Sequence, residues 1–170
     1  MDKIAKFEKV SFEQFKEDYI ACIGEETGVE DAYDNIKLPV RATEGSAGYD
    51  LISPLFVHLN PGKGLRIPTG LRVKIQEGWM LLILPKSGLG MKYRFQLDNT
   101  LGLIDSDYYN SSNEGHIMVP MRNNYVTDGF KDITINPGKA FAQAVFVPFG
   151  ITEDDAADGV RDGGFGSTNA

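Results

Sequence analysis

One cysteine, two histidines and no long apolar run set the first limits on this 170-residue chain. A lone Cys22 excludes an internal disulfide and a thiolate metal site. His58 and His116 are too few and too far apart in sequence for a zinc ligand set. No stretch reads as a signal peptide or a membrane span, so the expectation is a soluble, cytoplasmic protein. Positive charge is also short: 17 Lys and Arg face 24 Asp and Glu, a formal charge of −7. That balance argues against a general nucleic-acid or anionic-membrane surface. It leaves room for a polyanion held in a local pocket or through a metal ion.

What is present is glycine, at 19 residues, with eight prolines, spread between short apolar runs. At 42% hydrophobic content the chain can bury a core and fold as one domain. Ser11-Phe12-Glu13-Gln14 has the form of a capping box. Phe12, Phe15, Tyr19 and Ile20 follow at helical spacing, with Gly24 as a stop. A second short helix is expected over residues 30–33. This opening segment reads as an amphipathic element packed on the core or on a subunit surface. From residue 36 the texture changes to strands, expected at 36–38, 55–57, 65–67, 71–75, 79–84, 95–97, 101–104, 116–121, 131–135 and 142–147. Turn signals such as Asn60-Pro61-Gly62 separate them. This spacing indicates an all-β sandwich or barrel, not βαβ units.

The candidate chemistry sits in four places. Asn99 to Tyr109 ends an apolar run in Asp105 and Asp107, followed by an aromatic pair. Two residues apart on a strand, the aspartates share a face; a solvated hairpin turn is the simpler alternative. Ala47-Gly48-Tyr49-Asp50-Leu51 is read as a loop that places a carboxylate after a glycine. Pro85-Lys86-Ser87-Gly88-Leu89-Gly90 is read as a loop offering a cation, a hydroxyl and backbone amides, a recipe for phosphate that lacks Walker spacing. Gly163 to Thr168 sets Phe165 among glycines, ahead of Ser167 and Thr168, in a tail whose composition also suits simple disorder.

In this order the clusters, with Phe141-Ala142-Gln143, resemble the five motifs of the homotrimeric deoxyuridine triphosphatase (dUTPase) family. The resemblance covers residue 36 to the end. It implies a jelly-roll-like β-barrel over residues 36–150, a helical extension at 1–35 and a flexible tail at 151–170 that closes over the site. It also implies a homotrimer with sites at subunit junctions, hydrolysing dUTP to dUMP and pyrophosphate with Mg²⁺. By resemblance, Asp105 activates the attacking water and reaches the 3′-hydroxyl, while Tyr108 packs beneath the deoxyribose and excludes a 2′-hydroxyl. Asn99, Gly102 and Leu103 belong to the uracil side. Lys86, Ser87 and Gly88 belong to the phosphate side, Met118 and Gln143 are further substrate-binding residues, and Asp50 is an outer-sphere metal contact. Arg161, Phe165, Gly166, Ser167 and Thr168 close from the tail. The N-terminal extension is free to serve a protein partner. Relatives that deaminate dCTP share the fold, but no matching glutamate motif is found here, and a binding or signalling role is the other alternative.

Departures from the family pattern are specific. Lys86 stands where arginine is usual, and Ala140 replaces an arginine three residues before Gln143. Tyr109 and Asn110 replace the usual continuation of the third motif, and residues 111–114 lengthen that hairpin. Arg161 lies one residue closer to the glycines than the family's tail arginine, and Asn169 replaces the final glycine.

Overall fold

The computed structural model describes residues 2–125 and 131–159. Eleven strands are described: β1 (Ala5–Lys9), β2 (Tyr49–Ile52), β3 (Val57–Leu59), β4 (Gly64–Pro68), β5 (Leu71–Ile75), β6 (Trp79–Pro85), β7 (Phe95–Leu97), β8 (Gly102–Ile104), β9 (Met118–Asn123), β10 (Ile133–Ile135) and β11 (Ala140–Pro148). Three helices accompany them: α1 (Phe12–Ile23), α2 (Val29–Asp34) and α3 (Ser87–Tyr93), with a 3-10 turn at Ser106–Asn110. The ladders form four sheets, in orders β2-β11-β6-β8, β4-β9-β7, β10-β3 and β1-β5. The chain is therefore mostly β and jelly-roll-like, with its ladders divided among sheets.

Period-two alternation makes the strands. In β5, Leu71, Val73 and Ile75 are buried while Lys74 is exposed and Arg72 half-buried; in β7, Phe95 and Leu97 turn in while Gln96 faces out. These inward residues join Leu81, Ile83, Phe141 and Ala144 in one core.

Three expectations are corrected. Residues 36–38 form no strand: Ile36 is buried, and its Cδ1 lies where a Cβ at Gly70 would be, 2.1 Å away, so this segment reaches the core without a ladder. The first motif is not a loop beyond Gly48, because Tyr49–Ile52 pairs with β11 as β2. The second motif is helical from Ser87, where Leu89 and Tyr93 pack against the core and Arg94, at φ 55°, ends the helix.

The N-terminal segment is integral to the fold. β1 pairs in full register with β5, Ala5 opposite Ile75 through Lys9 opposite Leu71, and covers that strand's edge. This strand has no counterpart in the sequence reading. Helix α1 begins and ends where expected: the Ser11 hydroxyl accepts from Gln14 N at 3.1 Å, and Gly24 closes it in the left-handed region. Phe15 is fully buried and Tyr19 nearly so, so the apolar face of α1 is packed on the core of its own chain. Truncating Phe15 to alanine costs about 3–5 kcal/mol on this basis.

The other half of the capping box comes from elsewhere. Glu114, between the 3-10 turn and β9, accepts from Ser11 N at 2.8 Å and from Ser11 Oγ at 2.6 Å. Gln14 turns instead to Asp18, at 3.0 Å. The Ser11 hydrogen bonds hold the Glu114 carboxyl below its usual range. A depressed folded-state pKa contributes stability that is present above the unfolded pKa and lost as pH falls through the folded one. Glu114→Gln should therefore lower Tm by roughly 2–4 °C at pH 7, for a loss of about 1 kcal/mol at this partly exposed site. The gap from wild type should narrow below about pH 4.3. Thermal melts of both proteins from pH 7 to pH 3 check this, and a gap that does not depend on pH refutes it.

Candidate active site

β6 is the scale on which the candidate residues are placed. Along one edge it pairs with β11, Ala142 opposite Pro85 and Gln143 opposite Leu84. β11 in turn pairs with β2, Gln143 opposite Asp50. Asp50, Gln143 and the end of β6 thus share one end of the sheet, and Lys86 follows Pro85 there. The Lys86 ammonium donates to both Asp50 oxygens, at 2.8 and 2.9 Å, in a pair about one third exposed. Gly48 leaves the room that the Gln143 side chain fills; a Cβ there would sit 2.4 Å from its Cδ. Motifs one, two and four therefore converge within the protomer.

Ser87 and Gly88 open α3 and are exposed. The first amides of a helix have no intrahelical acceptor, so these N–H groups are available to an anion. A Cβ added at Gly88 would meet nothing within 4 Å.

The third motif lies along the opposite edge of β6. Gly102 pairs with Ile83, Leu103 with Leu82 and Ile104 with Leu81. Asp105 follows Ile104, half-buried, at the start of the 3-10 turn. Lys86, just past β6, lies five positions beyond Leu81, which is about 16 Å at 3.3 Å per residue. Asp105 and the Lys86–Ser87 end are thus not brought together in one chain. Asn99 and Leu103 are exposed beside this hairpin, and Gly102 is buried against Ile83.

Tyr108 is 3% exposed within the protomer. Its hydroxyl donates to the His116 carbonyl at 2.8 Å and accepts from Asn113 Nδ2 at 2.9 Å. Tyr109 and Glu114, in the connection from β8 to β9, fold back onto the N-terminal segment. Tyr109 donates to Glu8 and lies under the Arg72 guanidinium, 3.7 Å from the ring centroid. Gly115, at φ 69°, permits the return: a Cβ there would lie 2.6 Å from Tyr108 O. Met118, half-buried on β9, meets Cys22 Sγ of α1 at 3.8 Å. Burial pushes the Cys22 thiol up to about 11, which makes it a poor nucleophile. The contacts of Glu8, Ser11, Asp18 and Cys22 with residues 109–118 carry no sequence signal, since each spans about a hundred residues. Arg161, Phe165, Gly166, Ser167 and Thr168 lie outside the described residues.

Among the described residues no three His, Cys, Asp or Glu converge as a metal cluster. With both Asp50 oxygens on Lys86, this donor set suits an ion carried in by a ligand and touched through water, not a resident metal.

A jelly-roll-like β protein with exposed amides at a helix start, a lysine–carboxylate pair and an aspartate just past a strand end has the class of groups that suit a phosphorylated small molecule. Comparison makes the assignment specific. The sequence profile of the dUTPase family matches residues 34–169. The chain is 41% identical over 138 residues to the deoxyuridine 5′-triphosphate nucleotidohydrolase of Lactococcus lactis subsp. lactis, covering 79% of this chain and 89% of that one. It is 43% identical over 139 residues to the enzyme of the same name from Burkholderia lata, covering 77% and 88%. The crystal structure of dUTPase from Streptococcus mutans superposes with a TM-score of 0.61 at 35% identity, over 71% of this chain and 91% of that one. The dUTPase of Staphylococcus aureus phage phi11 shares the fold over 92% of this chain and 98% of that one, at TM-score 0.65 and 22% identity. This chain belongs to the dUTPase family.

Gly88→Ala separates anion binding from folding. Alanine is the better helix former by about 1 kcal/mol, so Tm should hold or rise by a few degrees. Pyrophosphate affinity, read by calorimetry, should fall as a methyl group enters the space beside the helix start. Unchanged affinity would remove the start of α3 from the site.

Proposed function

We propose that this chain is a dUTP diphosphatase, working as a homotrimer in the cytoplasm to lower dUTP and supply dUMP for dTMP synthesis. The observation that carries this reading is the placement of Asp50, Lys86, Gln143 and Asp105 within the residues that match the family. Its most similar relatives are named deoxyuridine 5′-triphosphate nucleotidohydrolases.

In this reading Asp105 accepts a proton from a water molecule whose oxygen attacks the α-phosphorus in line. The bond from that phosphorus to the bridging oxygen breaks, and pyrophosphate leaves with the electron pair. Phosphoryl transfer asks for positioning and charge stabilisation more than covalent help. Lys86, Ser87 and the amides at Gly88 supply positive charge and donors on the phosphate side, with Gln143 beside them. Asp50 would meet, through water, a Mg²⁺ carried by the triphosphate, and that ion would supply neutralisation of part of the charge. Asn99, Gly102, Leu103 and Met118 form the base side. Tyr108 gives the sugar a fixed ring edge that disfavours a 2′-hydroxyl. Phe165, Gly166, Ser167, Thr168 and Arg161 act from the tail over residues 151–170.

The gap of about 16 Å along β6 between the Asp105 end and the Lys86 end supports a site shared between protomers of a homotrimer. In this reading one α-phosphate meets Asp105 of one protomer and Ser87 of another. Consistent with a tail that serves another subunit, residues 148–159 are exposed throughout the protomer. A protein partner of the N-terminal extension would meet its acidic outer side, where Glu13, Glu17, Glu25, Glu26 and Glu30 are exposed.

Pyrophosphate release from dUTP, dCTP, dTTP and UTP with Mg²⁺ tests the activity; only dUTP should be turned over efficiently. Asp105→Asn should lower kcat by about 10² or more while dUMP still binds. Complementation tests the geometry. Asp105→Asn and Ser87→Ala, each impaired alone, should regain activity when unfolded together and refolded as mixed trimers, with about a quarter of sites intact. No recovery would place both residues in one protomer's site.

A further inference from the structure

The side chain of His116 is completely buried, and it joins three elements that are distant in sequence. Its Nε2 accepts the Gly70 amide at 2.8 Å, at the turn between β4 and β5. An Nε2 that accepts carries no proton, so the ring proton is on Nδ1 and is donated to Asp18 Oδ2 of α1, at 2.6 Å. The His116 carbonyl takes the Tyr108 hydroxyl at 2.8 Å. Phe15 of α1 packs on the imidazole, with centroids 5.9 Å apart.

Asp18 lies outside residues 34–169, which match the family, whereas Tyr108 and Asp105 lie inside them. We propose that Asp18 and His116 are positioning residues: the α1 carboxylate fixes the imidazole, and the His116 backbone then fixes the Tyr108 ring and the Asp105 turn beside it. Resting on the dUTP reading above, this makes the N-terminal helix a determinant of sugar selectivity without touching the nucleotide.

The physical reason is the long connection between Tyr108 and β9. Residues 111–117 lie outside any helix or strand, so side-chain contacts must hold them, and a small displacement of a reacting group costs up to about 10²-fold in rate. Asp18 supplies the hold through one neutral tautomer. Gln14 steadies that carboxylate by donating to the same Oδ2 at 3.0 Å.

The test compares Asp18→Ala, Asp18→Asn and Ser11→Ala. Ser11→Ala loosens α1 at Glu114 but leaves the His116 contacts in place, and so serves as the stability control. The first readout is the ratio of kcat/KM for dUTP to that for UTP, which is independent of the folded fraction. Asp18→Ala should lower this ratio by about tenfold or more. Asp18→Asn, which can still accept from Nδ1, should restore most of it, and Ser11→Ala should leave it unchanged. The second readout needs no activity: hydrogen exchange over residues 105–111 should quicken in Asp18→Ala beyond Ser11→Ala. If wild type does not hydrolyse dUTP, the functional reading fails and exchange alone judges the tie. An unchanged ratio in an active enzyme, or unchanged exchange in any case, overturns the proposal.

Discussion

The antiparallel register of β6 governs everything else in the site. Its edge toward β11 carries Gln143 and, one strand further, Asp50; its edge toward β8 carries Gly102 to Ile104. Side chains on strands are placed with a precision that loops rarely match, because a shift of one residue would turn the whole buried set outward. Leu81 and Ile83 are fully buried, so that shift is forbidden. The separation between Asp105 and Lys86 is therefore a property of the core. In the proposed reading, a site shared between protomers brings these two ends together.

The N-terminal segment answers a different constraint. The long connection between β8 and β9 costs loop entropy and exposes backbone groups, and its own sequence supplies few apolar residues to offset that. Glu8, Ser11 and Asp18 meet Tyr109, Glu114 and His116, and Arg72 lies across Tyr109. The ties are polar because most residues of this connection are polar, and the apolar work is done one layer below by Phe15 and Tyr19. The helix and the connection support each other, so neither is understood apart from the other.

Local signals were legible wherever the cause is local. Alternation located β5, β6, β7 and β11, and the Ser11 cap and Gly24 stop bounded α1. The readings that needed correction depend on distant partners. Tyr49–Ile52 looks like a loop, with Gly48 before it and Asp50 within it, until β11 pairs with it. Ser87–Tyr93 contains two glycines, poor helix formers, yet Leu89 and Tyr93 find core to pack against. Glu114 lies 103 residues from the serine it caps, a distance no capping-box pattern spans. The order of the candidate clusters was plain from sequence, whereas their division between two ends of β6 required the register.

The lysine in the second motif can be understood on the same footing. Arginine presents a rigid fork that matches phosphate in two places, while an ammonium is a compact charge with three donors. Here two of those donors are on Asp50, which fixes Lys86 in a half-buried position beside the start of α3. One donor remains to point toward an anion, and the Ser87 and Gly88 amides add directional contacts that the ammonium lacks. Ala140, in place of the usual arginine, removes a further cation from the strand that carries Gln143. In the proposed site, charge neutralisation accordingly shifts from side-chain forks toward backbone amides, the metal carried by the triphosphate, and the tail. Such a site discriminates by geometry more than by net charge, which suits a chain carrying a formal charge of −7.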